Sequence, residues 1–279
     1  MRLKCRDRSL DFHTPLIMGI LNLSPDSLYD GGKSRAGEHA LNQTERMLRE
    51  GAEIIDLGGM SSRPGAEIIS VEEELERVIP VLRQIRYRFS EAIISIDTIH
   101  AKVAEEALQI GAHIINDISG GTYEPEIIKI AARHKAAFII MHKKGNPVDM
   151  QENPQYEQVV QEVKAFLAKQ VEQCQKAGLT DLVIDPGFGF GKTVEHNYTL
   201  LRHLDSFLDM NLPLMVGLSR KAMICKPLGI HPESALNGTT ALHTIALTNG
   251  ANILRVHDVK EAKEVIRLYQ ACYPPSEPA

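Results

Sequence analysis

One six-residue phrase recurs along the chain: Gly51-Ala52-Glu53-Ile54-Ile55-Asp56, Gly111-Ala112-His113-Ile114-Ile115-Asn116 and Gly250-Ala251-Asn252-Ile253-Leu254-Arg255. A glycine placed just past a helix supplies the left-handed backbone that ends it. The short apolar run that follows has the length of a strand buried on both faces, and a polar group closes it. Gly51 and Gly111 are two units of about 30 residues apart, the size of a strand–helix repeat. The same grammar runs through the chain. Apolar runs at 16–21, 54–55, 93–96, 114–115, 138–141, 182–184, 214–218 and 253–254 end at Asn22, Asp56, Asp97, Asn116, His142, Asp185, Ser219 and Arg255. Eight such alternations in 279 residues predict an α/β fold, a (β/α)8 TIM barrel, with 1–279 as a single domain. An open doubly wound sheet is the alternative. Residues 2–12 predict a short N-terminal hairpin.

Helix ends are legible between the strands. Ser70 and Glu73 spell a capping box, and Pro80 should kink the helix that follows. Asn153-Pro154 reads as an N-cap and first-turn proline opening a helix with Val159, Val163, Phe166 and Cys174 on one face. His39, His100, His134 and His203 are expected on solvated helix faces. His243 is expected to be a satisfied structural histidine, and His142, which ends a strand, is a candidate to line the mouth.

The stretch LVIDPGFGFGK at 182–192 is the most distinctive. Pro186 has no N–H to continue a ladder, so Asp185 is held at the end of a buried strand. Glycines alternating with Phe188 and Phe190 predict an aromatic wall and a mobile loop. A P-loop would need glycine where Pro186 stands, and a dinucleotide fingerprint would need glycine at Lys192.

Composition narrows the function classes. A net charge of −5 is not the basic footprint of a nucleic-acid binder. No apolar run approaches membrane-spanning length, and the charged start leads into no signal-peptide core. Cys5, Cys174, Cys225 and Cys272 are scattered, as reduced thiols in a cytoplasmic protein would be.

In a barrel, strand-terminal residues converge on one mouth. Asn22, Asp56, Asp97, Asn116, Asp185, Lys221, Arg255 and His257 would then share a pocket. Asp97, Asn116 and Asp185 suit a ligand edge with paired N–H donors. Arg63, Arg255 and His257, with Ser61 and Ser62, suit a dense anion such as phosphate. His257 lies two residues beyond Arg255, on the same strand face. Asn22 offers one neutral oxygen, which suits Mg²⁺ held mainly by water and phosphate.

These residues sit in familiar company. MGILNLSPDSLYDGG at 18–32, IIDLGGMSSRPG at 54–65, SIDT at 95–98, INDISGG at 115–121, DPGFGFGK at 185–192, GLSRK at 217–221, NGTTALHTIALTNGA at 237–251 and RVHDV at 255–259 resemble the dihydropteroate synthase family, in its order and over almost the full length. The resemblance implies a homodimeric barrel transferase of folate biosynthesis that is a sulfonamide target. It joins dihydropterin methyl diphosphate to p-aminobenzoate, with Mg²⁺, and releases diphosphate. It implies that Asp97, Asn116 and Asp185 hold the pterin with Lys221, that Ser62, Arg63, Arg255 and His257 hold the diphosphate, and that Asn22 meets the metal. Phe190, Pro64, Ser219 and Lys221 would face p-aminobenzoate, with Asp97, Asp185, Lys221 and Arg63 as the catalytic set. Loops 22–37 and 60–69 are expected to close over the site. Leu28, Met60, Ser62 and Ala222 depart from the usual pattern, and Ser62 keeps the hydroxyl. A pterin-binding methyltransferase barrel and a non-catalytic pterin-binding paralogue are the competing readings.

Overall fold

The computed structural model describes residues 1–23, 33–60, 68–145, 150 and 153–274, with side chains from Gly37 onward in the first helix. Its strands are β1 (Arg2–Cys5), β2 (Arg8–Asp11), β3 (Leu16–Asn22), β4 (Ile54–Gly58), β5 (Ile93–Asp97), β6 (Ile114–Asp117), β7 (Ala137–Met141), β8 (Leu182–Asp185), β9 (Met215–Val216) and β10 (Ile253–Val256). The helices are α1 (Lys33–Glu50), α2 (Val71–Arg88), α3 (Ala101–Ile110), α4 (Glu126–His134), α5 (Val159–Lys176), α6 (Val194–Arg202), α7 (Ala222–Leu228), α8 (Leu236–Thr248) and α9 (Val259–Cys272).

Strands β3 to β10 form one parallel sheet in the order β8-β7-β6-β5-β4-β3-β10-β9. A parallel bridge from Ile184 to Leu214 joins its two ends, and the Ile184 N–H donates to Pro213 O at 3.0 Å. The sheet is therefore the expected barrel and not an open, doubly wound one. Closure at β9 is economical: only Met215 and Val216 are strand, where sequence suggested 214–218. Asn252 completes the seam, its Oδ1 accepting from the Leu214 N–H at 2.9 Å.

Side chains alternate along each strand, and this sorts the core into two parts. Leu16, Met18, Ile54, Ile114, Ile139, Val183, Met215 and Ile253 fill the barrel interior, where Leu3, Cys5 and Leu10 of the β1–β2 hairpin join them. The hairpin thus plugs the end of the barrel opposite the C-terminal ends of the strands. It is tied down by the Lys4 N–H donating to Asp181 Oδ1 at 2.7 Å and by Arg6 donating to Ala112 O at 2.8 Å. The other strand face packs on the helices through a larger apolar cluster that includes Ile55, Leu57, Val78, Leu82, Ile94 and Leu108.

Gly51, Gly111 and Gly250, the glycines of the repeated phrase, take φ of +106°, +118° and +92°. This is the left-handed geometry that ends a helix and lets the chain turn straight into a strand. Other local expectations need correcting. Ser70 Oγ accepts from the Glu73 N–H at 3.2 Å, but the Glu73 carboxylate pairs with Arg77, so this box is half-made. A complete box stands instead at Thr193 and His196. Pro80 does lie inside α2, as its sequence indicates. Asn153 has φ +51° and lies outside α5, which starts at Val159; there the Glu162 carboxylate caps the N–H groups of Glu157 and Gln158. His100 is buried, not solvated, because its ring is drawn inward to Glu74.

Candidate active site

On five of the strands the inward face turns polar beyond the apolar layer. Ile54 is followed by Asp56, Ile114 by Asn116, Val183 by Asp185 and Ile253 by Arg255, while β5 carries Ser95 and then Asp97. Period-2 alternation carries all of them to the C-terminal mouth. Arg255 is the hub. Its Nε donates to Asp56 Oδ2 at 2.7 Å and its Nη2 to Asp97 Oδ2 at 2.6 Å. Asn116 Nδ2 donates to the same Asp56 oxygen at 3.0 Å. Asp56 is nearly inaccessible and Asp97 is buried, so each carboxylate rests on the guanidinium. The sequence places Asp56 at the mouth without a role; the structure makes it the counter-charge that orients both Arg255 and Asn116.

Asn116 uses its amide nitrogen on Asp56. Its Oδ1 is buried and, among the described residues, meets no donor. This unused acceptor belongs to the residue beside Asp97, its register partner.

Burial dominates the electrostatics. It pushes Asp97 up to about 7, with Arg255 pulling down and Asp56 pushing up. It also raises Asp185, against the opposing pull of Lys221. Lys221 is pushed down to about 8 by burial, against Asp185. Arg255 is held above its ordinary value, the surrounding carboxylates of Asp56, Asp97 and Asp185 overcoming a larger desolvation effect.

Asp185 ends β8, its Oδ1 accepting from the Gly187 N–H at 2.7 Å. The loop beyond it, expected to be mobile from its glycines, is pinned. Lys221 Nζ donates to Phe188 O and lies 4.7 Å from the centroid of the Phe190 ring. Asn197 Oδ1 accepts from the Gly189 N–H at 2.7 Å, and Tyr156 donates to Gly191 O at 2.9 Å. Phe190 borders a small apolar cluster of Met60, Ile99, Ile118 and Met141. Met60 therefore sits on the Phe190 side of the mouth, whereas Ala222 is exposed at the start of α7.

Ser219 Oγ accepts from the His257 N–H at 3.4 Å, so the loops after β9 and β10 meet. Arg220, at φ +58°, locks that meeting with a two-pronged pair to Asp258 at 3.0 and 2.6 Å. Asn22 ends β3, and its Oδ1 lies 3.6 Å from the point where a Cβ on Gly58 would stand, with the Asp97 Cβ 3.4 Å from the same point. Ser61, Ser62, Arg63, Pro64 and Leu28 lie outside the described residues, as do most of the two expected closing loops.

Several polar residues near the mouth escape a reading of the sequence. Glu74, wholly buried on α2, accepts from Thr98 Oγ1 at 3.0 Å and meets His100 Nδ1 at 2.6 Å, which raises His100. Asp117 holds the next turn by accepting from the N–H groups of Ser119 and Gly121 at 2.6 and 2.8 Å. His142, the strand-end candidate for the mouth, is buried against Lys192 and pushed down to about 2, mainly by burial. His243 is buried as expected, but its Nε2 meets no partner among the described residues. The burial of Glu74 and of Lys192 gives no sequence signal, since a charged residue on a helix or loop normally faces solvent.

A family model described as pterin binding enzyme matches residues 18–257. The dihydropteroate synthase of Escherichia coli strain K12 is 47% identical over 273 residues, covering 97% of this chain and 96% of that protein. Among solved structures, Yersinia pestis dihydropteroate synthase in a sulfonamide drug complex superposes with a TM-score of 0.92 at 42% identity, covering 98% of this chain and 99% of that one. The Thermus thermophilus enzyme in complex with 4-aminobenzoate gives a TM-score of 0.88 at 40% identity, covering 98% of this chain and 100% of that one. With family model, relatives and barrel all in agreement, this chain belongs to the dihydropteroate synthase family of pterin-binding enzymes.

Proposed function

We propose that this chain, with 1–279 as one pterin-binding barrel domain, condenses (7,8-dihydropterin-6-yl)methyl diphosphate with p-aminobenzoate. The products are 7,8-dihydropteroate and diphosphate, in folate biosynthesis, and the enzyme is a sulfonamide target. The observation that carries this reading is the arrangement of Asp97, the Asn116 Oδ1 acceptor and Asp185 around a cationic hub, Arg255. A pterin presents its 2-amino group and N3–H as parallel donors, which a carboxylate accepts well. Asp97, Asn116 and Asp185 take those donors, and Lys221 completes the pterin contacts.

Arg255, His257, Ser62 and Arg63 receive the diphosphate. Departure of diphosphate from a methylene on an electron-rich ring leaves a cation-like carbon. The site therefore neutralises the departing charge and positions the arylamine; it needs no nucleophile–base pair. Phe190, Pro64, Ser219 and Lys221 form the arylamine wall.

Among the described residues no cluster of three or more His, Cys, Asp or Glu could hold a metal. Mg²⁺ would be bound chiefly by phosphate and water, with Asn22 as a neutral protein ligand beside Asp97. When bound, Mg²⁺ would neutralise diphosphate charge.

The directions of the shifts at Asp97 and Lys221 make a pH prediction. Pterin binding needs Asp97 ionised and Lys221 charged. Asp97 reaches that state only above about 7, and Lys221 leaves it above about 8. A plot of kcat/KM for the pterin diphosphate against pH is expected to be a narrow bell with its limbs near those values, reporting the free enzyme. A flat plateau from about pH 6 to 9 would contradict the assigned charge states.

A homodimer is supported by a strip of exposed apolar residues along α8. Ile245 is on the helix itself; Leu228 packs at its start by Gly238 and Leu208 at its end by Gly250. Sedimentation equilibrium should give about twice the 31.0 kDa chain mass; a monomer at micromolar concentration would remove the proposal. No helix among the described residues is long and apolar enough to cross a membrane. Cytoplasmic residence is supported by Cys5, Cys174, Cys225 and Cys272 all being free.

Calorimetric titration tests the reading against a methyltransferase barrel. The protein should bind dihydropterin methyl diphosphate and ignore methylated tetrahydrofolate. The reverse preference would overturn the assignment.

A further inference from the structure

Behind the aromatic loop lies a lysine that no part of the proposed chemistry uses. Lys192 is 2% exposed. Its Nζ is 2.8 Å from Gly187 O, 3.0 Å from Phe190 O, 2.9 Å from His142 Nδ1 and 3.4 Å from His142 O. The nitrogen thus sits in a cage of protein acceptors, much as a small desolvated cation would. We propose that Lys192 is a positioning residue for the arylamine half of the reaction: from inside the fold it holds the 187–191 loop so that Phe190 presents the surface on which p-aminobenzoate binds. This rests on the dihydropteroate synthase reading.

The geometry of the loop carries the inference. Two of its carbonyls, Gly187 and Phe190, turn inward to one nitrogen, which closes the loop into a ring. Phe188 O, between them, takes Lys221 Nζ instead. Two lysines therefore grip one short loop. Lys221 also lies over the Phe190 ring, so the position of that ring depends on both. Lys192 touches neither Asp97 nor Asn116, and it meets the pterin residue Asp185 only through the charge between them and through Gly187, whose N–H holds that carboxylate. Its loss should therefore weigh far more on the arylamine than on the pterin.

The contacts do not depend on one protonation state. Burial pushes Lys192 well below the ordinary lysine value, against Asp185. Charged or neutral, the nitrogen keeps two protons for the two carbonyls. The third contact, to neutral His142, is made in either direction according to the tautomer.

The test is Lys192→Met, which keeps an unbranched side chain of nearly the same length and removes its donors. Steady-state kinetics should show KM for p-aminobenzoate raised at least tenfold and kcat lowered less than threefold. Calorimetric Kd for the pterin diphosphate should stay within threefold of wild type. Lys192→Arg should restore part of the arylamine KM. A lower thermal midpoint with an unchanged p-aminobenzoate KM would overturn the proposal, as would equal losses toward both substrates.

If Lys192→Met does not fold, His142→Phe removes a single cage contact and is expected to raise the same KM about threefold; no change would count against the cage. If wild-type protein makes no dihydropteroate, the functional reading fails separately. Hydrogen exchange then decides the positioning claim. The amides of Gly189 and Phe190 should exchange at least tenfold faster in Lys192→Met, with those of β6 unchanged. Equal rates in the loop would overturn it.

Discussion

Replacing Arg255 by alanine is expected to cost both stability and turnover, and the stability loss should depend on pH in a defined direction. The guanidinium is 15% exposed and sits between Asp56 and Asp97, whose side chains are 0% and 5% exposed. Removing one partner of such a cluster leaves buried charge uncompensated, at a cost of ~3–5 kcal/mol. Asp97 supplies the pH dependence. Its folded-state value, about 7, lies above the unfolded one. The native protein therefore binds more protons than the unfolded chain between the two values, and stability falls as pH rises through that window. Arg255 pulls Asp97 downward, so its loss raises Asp97 further and deepens the penalty at high pH. Urea unfolding at about pH 5 and about pH 8 should show a larger deficit for Arg255→Ala at the higher pH. Equal deficits at the two pH values would count against the assigned coupling. Turnover should fall about 10²–10³-fold, the usual effect of removing one donor to a developing negative charge.

Gly187→Ala is the second large effect, and it arises from shape. Gly187 takes φ +68°, and a Cβ there would stand 1.9 Å from His142 O and 3.2 Å from Met141 Cγ. The obstruction is backbone, so no rotamer relieves it. Left-handed strain and overpacking together should cost ~2–5 kcal/mol. They should also move the loop that carries Phe190, and activity with it. Gly178 is the matched control. It has φ +82° but nothing within 4 Å of its added Cβ. Gly178→Ala should therefore cost only the ~1–2 kcal/mol of backbone strain and keep wild-type turnover. Similar losses of activity in the two variants would show that strain alone, and not the close approach to His142, explains the effect.

Much of this molecule is legible in its sequence, for a physical reason. Strand periodicity is strictly two. Once Ile54, Ile114, Val183 and Ile253 are taken as interior, Asp56, Asn116, Asp185 and Arg255 must follow them to the same mouth. What the period does not encode is which opposite charges meet across the barrel. Arg255 and Asp56 are joined although 199 residues separate them. The Gly-Phe loop shows the opposite limit. Its glycines read as freedom, but at Gly187 and Gly191 they mark close approach to the carbonyls of His142 and Lys144. The chain that presses on them is distant in sequence. His100 departs from local pattern for a similar reason, because a carboxylate from another helix, Glu74, captures its ring; at Asn153 the departure is local, since Glu162 in the helix's own first turn caps the N–H groups of Glu157 and Gln158 instead. Lys192 shows how little a residue type says of burial when three acceptors are waiting for it.

If the mouth joins two substrates and expels diphosphate, a mass-spectrometric turnover assay on the intact protein shows it most directly. Dihydropterin methyl diphosphate, p-aminobenzoate and Mg²⁺ are supplied together and then with each left out. The expected result is dihydropteroate and diphosphate in equal amounts with all three present, and no dihydropteroate when either substrate is missing. Binding of the pterin diphosphate without any dihydropteroate in the complete mixture would contradict that reading, and would leave a pterin-binding barrel that does not catalyse the transfer.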